Sequence, residues 1–180
     1  MAVLEILTVP DDRLKQPSEP VQVFDGDLRA FIRDLEETRR AGPAAVGIAA
    51  PQVGRLQRIV IVDCSQTRKP VPNHGHLTLV NPEITDWEGF ELGREGCLSV
   101  PDYTGNVIRA ERIRLRAQDA HGERREYEME GFEARAVQHE VDHLDGLIFI
   151  DRVVSRRTDL FQRKVYQKAG GSTGKASTGG

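Results

Sequence analysis

Long hydrophobic runs are absent from this sequence, and so are the features of an export signal. No apolar stretch approaches the roughly 20 residues that a membrane-spanning helix requires. The first residues, Met1-Ala2-Val3-Leu4-Glu5, contain neither a basic region nor the start of a long apolar segment. We therefore expect a soluble protein of the cytoplasm that does not contact a membrane.

Cysteine is also scarce, with Cys64 and Cys97 as the only two. In a chain without an export signal, thiols are expected in a reducing compartment, where a disulfide is their less favoured use. Cys64 follows the β-branched run 59–63, so we interpret it as a small apolar residue at the end of a buried strand. Cys97 is therefore the thiol left for chemistry.

The charge is nearly balanced, with 25 basic and 28 acidic residues and a formal net charge of -3. This balance gives no bulk reason to expect nucleic acid as a partner. A hydrophobic content of 38% over 180 residues is sufficient for one core. We expect a single catalytic domain over residues 1–169 and a flexible Gly/Ser/Thr-rich tail over residues 170–180.

Hydrophobic spacing predicts an early amphipathic helix, over residues 27–39, and several later strands. The expected strands are residues 59–63, 77–80, 112–117 and 125–129, the last two forming an antiparallel hairpin. This order predicts the α+β class, with antiparallel sheets packed around a central metal-binding helix and with an N-terminal and a C-terminal helix.

The strand at 112–117 alternates arginine with apolar residues, so Arg112, Arg114 and Arg116 share one face. Such a row can face RNA, or it can be the solvated side of a half-buried sheet. We favour the solvated side, because one face of an antiparallel sheet is commonly exposed to water.

The most informative motif is the H-E-x-x-H arrangement formed by His139, Glu140 and His143. On a helix, the two histidines lie one turn apart, about 6 Å along the axis, where both imidazoles can bind one metal ion. Glu140 can then handle a proton. Gly131 before the segment and Asp145-Gly146 after it predict a helix over residues 132–144.

Helical periodicity places this motif on the apolar side of its helix, with Phe132, Ala136, Val137, Val141 and Leu144. Arg135, Gln138 and Asp142 are expected to face solvent on the other side. Buried polar groups without partners cost about 1 to 3 kcal/mol each. A metal ion would supply the partners, whereas two core histidines bonded to backbone are the alternative for an isolated motif.

Cys97, within the segment E-G-C-L-S at 95–99, is a plausible third ligand. Two imidazoles and a thiolate leave one open position on a four-coordinate ion, which is the layout of a catalytic site. Cys97 could instead be a nucleophile activated by a histidine, but that interpretation leaves one histidine unexplained.

A run of small residues at 44–54 contains one side chain that can form hydrogen bonds, Gln52. Small residues allow backbone or ligand to approach closely. An amide NH₂ can stabilise a developing oxyanion, and the loss of such a donor can raise a barrier by about 3 to 4 kcal/mol. A tight turn with a surface glutamine is the alternative.

Three segments together are far more specific than any one of them: G-I-A-A-P-Q at 47–52, E-G-C-L-S at 95–99 and Q-H-E-x-D-H-L at 138–144. In this order they resemble the bacterial peptide deformylases, and the resemblance extends from Ile6 to about Asp151. It implies a metal-dependent hydrolase that removes the N-formyl group from the initiator methionine of new polypeptides and releases formate.

The resemblance also implies roles for matching residues. Cys97, His139 and His143 correspond to metal ligands, Glu140 to the general acid/base, and Gln52 and the Leu98 N–H to oxyanion donors. Gly47 corresponds to a glycine that lies along the bound peptide. The family normally has a second glycine two residues earlier, where this chain has Ala45. Val46 and Ala136 are our candidates for the wall of the methionine pocket, and ordinary core positions are the alternative.

The resemblance further implies ferrous iron in the cell, with Zn²⁺, Ni²⁺ or Co²⁺ able to occupy the site. Nascent N-formyl-methionyl polypeptides are the implied substrates. From Arg152 to Lys175 the chain is basic, and Leu160, Phe161, Val165 and Tyr166 could give a short helix one apolar side. We therefore hypothesise a ribosome-facing element there, with a solvated terminal helix as the alternative.

Two other functional classes share some of these features. A zinc peptidase would use the His–Glu–His helix but would leave Cys97 and Gln52 without a role. A noncatalytic metal-binding module would not require the intact Glu140.

Overall fold

The computed structural model describes residues 2–163. Its helices are α1 (Gly26–Ala41) and α2 (Gly131–Leu144). Its strands are β1 (Gly47–Ala49), β2 (Ile59–Asp63), β3 (His76–Glu88), β4 (Glu91–Cys97), β5 (Val100–Arg109), β6 (Arg112–Gln118), β7 (Arg124–Glu130) and β8 (Leu160–Gln162). The helix expected at 27–39, the helix at 132–144 and the four expected strands are all present.

Local signals set the ends of both helices. At the start of α1, the Asp25 side chain accepts a hydrogen bond from the Leu28 N–H at 2.9 Å, which satisfies a backbone donor that the helix leaves free. Helix α2 ends at Leu144 with Asp145 as its C-cap, and Gly146 follows with φ +76°, a left-handed conformation that glycine adopts without steric cost. The predicted stop at Asp145-Gly146 is confirmed.

Two antiparallel sheets form the framework. The larger has the strand order β1-β2-β3-β6-β7, and the smaller has the order β4-β5-β8. Strand β2 is buried on both faces: Val60 and Val62 pack with α2 residues, whereas Ile59 and Ile61 pack with α1 residues. The α+β class is therefore confirmed, with the larger sheet lying between the two helices.

The expectation that Arg135, Gln138 and Asp142 face solvent was wrong for the two charged residues. Arg135 is only 8% exposed to solvent and Asp142 only 6%. Their side of α2 faces the smaller sheet. There Arg135 binds Glu95 of β4, and Asp142 binds Arg109 of β5. A helical wheel with one apolar side does not reveal a second sheet that contacts the polar side through ion pairs.

The expected C-terminal helix is also wrong where the structure describes it. Leu160 and Phe161 lie in β8, which pairs with β5 in the register Thr104↔Phe161 and Gly105↔Leu160. The free edge of β5 supplies hydrogen bonds that make a strand favourable for this short segment. Val165, Tyr166, the boundary at 169 and the tail at 170–180 lie outside the described residues.

The arginine row of β6 faces glutamates of β7. The cross-strand pairs are Arg112–Glu130 at 3.9 Å, Arg114–Glu128 at 2.9 Å and Arg116–Glu126 at 3.7 Å. We call these six residues the charged ladder. Because each arginine has an acidic neighbour, the ladder has no net positive charge to attract a phosphate backbone, and the solvated face is the better interpretation.

Among residues 2–163, no helix is both long and apolar enough to cross a membrane.

Candidate active site

Three side chains converge where α2 passes the end of β4. Cys97 is the last residue of β4, and His139 and His143 lie one turn apart on α2. Their ligand atoms all lie within 4.8 Å of one another, and the Cys97 Sγ is 3.3 Å from the His143 Nε2. An ion bound at about 2.0–2.1 Å from nitrogen and about 2.3 Å from sulfur requires separations of this size. The donor set therefore fits one tetrahedral cation with an open position.

Glu140 lies beside these ligands and is buried, with its Oε1 4.0 Å from the His139 Nε2. Burial raises the pKa of this carboxyl to about 7. Within the described residues, the Glu140 Oε2 is a buried oxygen without a hydrogen-bond partner. An unpartnered buried oxygen beside three ligand atoms is suited to contact a water or substrate atom held by the cation.

Glu95 orients His139 from the other side. The Nδ1 of His139 lies 2.8 Å from the Glu95 Oε1, so this nitrogen carries the proton and the Nε2 is directed to the other ligands. Burial alone would raise the pKa of Glu95, but hydrogen bonds with His139 and Arg109 outweigh it and hold the pKa well below its ordinary value. Burial opposes protonation of His139, yet bonds with Cys97 and Glu95 raise its pKa.

Glu95 belongs to a larger buried ion network. Arg109 donates to both Glu95 oxygens at 2.9 Å and to Asp142 at 2.5 Å. Arg135 donates to Glu95 at 2.7 Å, and Arg152 donates to Asp142 at 2.9 Å. This network was not predicted from the sequence, although Glu95 and Asp142 both lie within the three motifs. The acidic side chains of Glu95 and Asp142, close in sequence to the candidate ligands, are the signal that could have revealed it.

Gln52 is 1% exposed and is held in one orientation. Its Oε1 accepts from the Ala49 N–H at 2.9 Å, while its Nε2 donates to the Ser99 hydroxyl at 3.0 Å and lies 3.5 Å from the Cys97 Sγ. Because the Ala49 N–H requires an acceptor, the amide nitrogen is the atom that faces Cys97. The structure thus directs a side-chain donor at the ligand cluster instead of leaving Gln52 on the surface.

A cavity of about 340 Å³ opens beside the cluster, and all the remaining expected site residues line it. These residues are Gly47, Val46, Ala136 and Leu98. A Cβ on Gly47 would lie 2.8 Å from the Glu140 Oε1, so only a glycine allows the two to approach. Phe132, expected on the buried side of α2, is 40% exposed and also lines the cavity.

Ala45, the departure from the family pattern, also lines this cavity. Its carbonyl accepts a hydrogen bond from Arg39 of α1 at 2.8 Å, and Arg39 is itself held by Glu36 at 2.6 Å. The preceding Ala44 has φ +52°, which is uncommon for a residue with a side chain. This part of the cavity wall is therefore fixed by a buried arginine.

Cavity size alone does not locate the site. A larger cavity of about 500 Å³, with Trp87 and His74 in its wall, contains none of the three ligand residues. Cys64 is buried and free, as expected, and burial raises the pKa of its thiol to about 12. A thiol with so high a pKa stays protonated and inert at neutral pH.

Comparison with known proteins identifies the family. Residues 3–159 match the family model for polypeptide deformylase. A peptide deformylase of Thermodesulfovibrio yellowstonii is 42% identical over 93% of this chain and 99% of that protein. One of Alkalilimnicola ehrlichii is 43% identical over 98% of this chain and 100% of that protein. A crystal structure of the Ehrlichia chaffeensis peptide deformylase in complex with actinonin has a TM-score of 0.81 and 35% identity, covering 87% of this chain and 92% of that one. This chain belongs to the peptide deformylase family.

Proposed function

We propose that this protein hydrolyses the N-formyl group of nascent formyl-methionyl polypeptides and releases formate. The observation that carries the proposal is the convergence of Cys97, His139 and His143 beside a buried carboxyl, Glu140, and an oriented amide, Gln52. A peptidase would leave the thiol and the amide without a role, and a noncatalytic module would leave Glu140 without one.

When held by Cys97, His139 and His143, a divalent ion would supply a water whose pKa falls from about 15.7 toward about 7. Glu140 would take the proton of that water and later deliver it to the departing amine, because the carboxyl lies beside the ligands, one of its oxygens has no partner among the described residues, and its raised pKa suits both steps. The Gln52 NH₂ and the Leu98 N–H hold the formyl oxygen as it becomes negative.

Ferrous iron is the ion we propose for the cell, with Zn²⁺, Ni²⁺ or Co²⁺ able to replace it. Thiolate and imidazole donors accept all four, and availability decides among them as much as affinity. Iron bound to a thiolate is sensitive to oxygen, so the native metal should be determined in anaerobically prepared protein.

The peptide is proposed to bind between two strand edges. Strand β1 ends the larger sheet and β4 ends the smaller one, and residues of both line the cavity. An extended chain can pair with such edges through its backbone, which gives affinity that does not depend on sequence. Val46 and Ala136, with Phe132 at the opening, provide apolar walls for the methionine side chain.

We also propose that the protein acts in the cytoplasm, and that basic residues after β8 contact the ribosome. Two earlier basic residues are already paired, Arg152 with Asp142 and Arg156 with Asp151. The later lysines, Lys164, Lys168 and Lys175, remain for such a contact. Removal of residues 164–180 should reduce co-sedimentation with ribosomes, and unchanged co-sedimentation would count against the contact.

The proposed function is tested by formate release. Protein purified anaerobically is analysed for metal and then given formyl-Met-Ala-Ser, the acetylated analogue and an internal peptide. We expect release of formate from the first substrate alone. Cleavage of the internal peptide would favour a peptidase, and bound metal without any turnover would favour a noncatalytic module.

A further inference from the structure

Two guanidinium groups stand at the opening of the active-site cavity. Arg94 of β4 and Arg163, directly after β8, both line the cavity and are both exposed. We call them the arginine rim. They come from the smaller sheet, whereas Val46 and Gly47, which also line the cavity, lie at the start of β1 in the larger sheet.

Arg94 is held in place by its neighbours. Its guanidinium carbon lies 3.7 Å from the centre of the Phe161 ring, a cation–π geometry. Its Nε donates to the Asn106 side chain at 3.0 Å and its Nη1 to the Thr104 hydroxyl at 3.3 Å. These partners are neutral, so they orient the arginine without cancelling its charge.

Arg163 is placed over the strand beside it. Its backbone N–H donates to the Asp102 carbonyl at 2.7 Å, which continues the pairing of β8 with β5. Its Nη2 would lie 2.6 Å from a Cβ on Gly96, so the missing side chain of Gly96 is what allows the guanidinium to lie against β4. Gly96 is next to the metal-ligand candidate Cys97.

The rim keeps its positive charge. Within residues 2–163, no ion pair includes Arg94 or Arg163. Of the two carboxylates in the cavity wall, Glu95 binds Arg109 and Arg135, and Glu140 is buried beside the candidate metal ligands. Residues 164–180 contain three lysines and no aspartate or glutamate. Several charges of one sign at a cavity opening raise the local concentration of ligands that carry the opposite charge. A positive rim therefore attracts negatively charged ligands.

We propose that the arginine rim makes this deformylase prefer nascent chains with an acidic side chain in the first two residues after the formylated methionine. The inference rests on the proposed function. Along β4, Glu95 and Cys97 point inward while Arg94 and Gly96 point outward. A peptide that leaves the ligand cluster along this edge therefore passes Gly96, and hence Arg163, before it reaches Arg94.

The test compares peptides that differ in one charge. The substrates are formyl-Met-Ala-Ser, formyl-Met-Ala-Asp, formyl-Met-Asp-Ser and formyl-Met-Ala-Lys, all with amidated C termini, because a free carboxylate would itself bind the rim. We expect kcat/KM for the better acidic peptide to exceed that of the lysine peptide by about fivefold at low salt, the size of partly exposed charge pairs. The ratio should fall toward one at high ionic strength, since salt screens exposed charges.

The variants are Arg94→Gln, Arg163→Gln and the double substitution. We expect the acidic-to-lysine ratio of kcat/KM to fall in each single variant and to reach about one in the double variant, whatever the absolute rates. Arg116→Gln, which removes one exposed charge from the ladder instead, should keep the wild-type ratio. Arg94→Glu with Arg163→Glu should reverse the preference.

The outcomes separate the two proposals. If the metal-loaded wild type releases no formate from the neutral peptide, the proposed function fails. If it releases formate but the acidic and lysine peptides react equally, or if the double variant keeps the wild-type ratio, the rim has no part in selection and the inference is overturned.

Discussion

At the scale of single residues, Glu140 carries the clearest prediction. In the variant Glu140→Ala the three ligands remain, so we expect the metal content per chain to be unchanged. Formate release should fall by a factor of about 10² to 10⁴, the usual contribution of a positioned acid/base. Metal analysis and a formate assay measure the two quantities. Near-normal turnover would rule out the role given to Glu140.

Substitution of Gly47 should lower activity as much as substitution of a catalytic residue, because the missing side chain of Gly47 leaves room for the Glu140 carboxylate. The new methyl group in Gly47→Ala would lie 2.8 Å from the Glu140 Oε1 and 2.9 Å from its Cγ. Displacement of the carboxylate by this contact should lower kcat/KM about 10²-fold. The matched control is Gly26→Ala at the start of α1, where a Cβ meets nothing within 4 Å. Equal activity of both variants would contradict the steric argument.

At the scale of elements, Arg109 connects β5, β4 and α2. It is 4% exposed and binds two carboxylates, Glu95 and Asp142. The substitution Arg109→Ala leaves buried acids uncompensated, which should lower the free energy of unfolding by about 3 to 5 kcal/mol. Urea denaturation at neutral pH measures this loss.

The charged ladder provides the comparison for Arg109. Arg114 binds Glu128 at the similar distance of 2.9 Å, but both side chains are more than half exposed. Arg114→Ala should therefore cost no more than about 1 kcal/mol. If Arg109→Ala and Arg114→Ala lowered the free energy of unfolding equally, burial would not determine how much these ion pairs stabilise the protein.

At the scale of the whole molecule, the buried Glu140 should make the chelated protein less stable as the pH rises. Burial raises its pKa from the ordinary value of 4.5 to about 7, so between these values the folded chain keeps a proton that the unfolded chain loses. This contribution to stability is complete below pH 4.5 and is lost as the pH rises through about 7.

The expected size follows from the shift in pKa. Between pH 5 and pH 8, wild-type protein with a chelator should lose about 2 to 3 kcal/mol more stability than Glu140→Gln, which cannot ionise. Urea unfolding at the two pH values measures the difference. Parallel profiles for the two proteins would exclude Glu140 as the cause, and added Zn²⁺ should reduce the difference because a nearby cation favours the carboxylate.

The sequence was sufficient for features that are local along the chain. Helix α1, the hairpin of β6 and β7 and the end of α2 were predicted because periodicity and turn residues specify them within a few positions. The H-E-x-x-H spacing and the segment around Cys97 pointed to Cys97, His139 and His143, the resemblance agreed, and the fold brings the three together from separate segments.

What the sequence did not reveal depends on contacts between distant segments. The burial of Arg135 and Asp142 requires the smaller sheet, whose presence no helical pattern indicates. Leu160 and Phe161 form a strand because the edge of β5 is available to them, and Arg163 reaches the cavity as a result. Pairing partners of this kind are a property of the assembled molecule.

The charged ladder affects the tendency of this protein to associate with other copies of itself. Strand β7 ends the larger sheet, and a free strand edge invites a second molecule to add to it. Alternating glutamates and arginines discourage such self-association, because a docking strand would have to displace charges from water. The ladder thus protects the β7 edge, whereas the strand edges beside the cavity, β1 and β4, are the ones proposed to receive an extended chain.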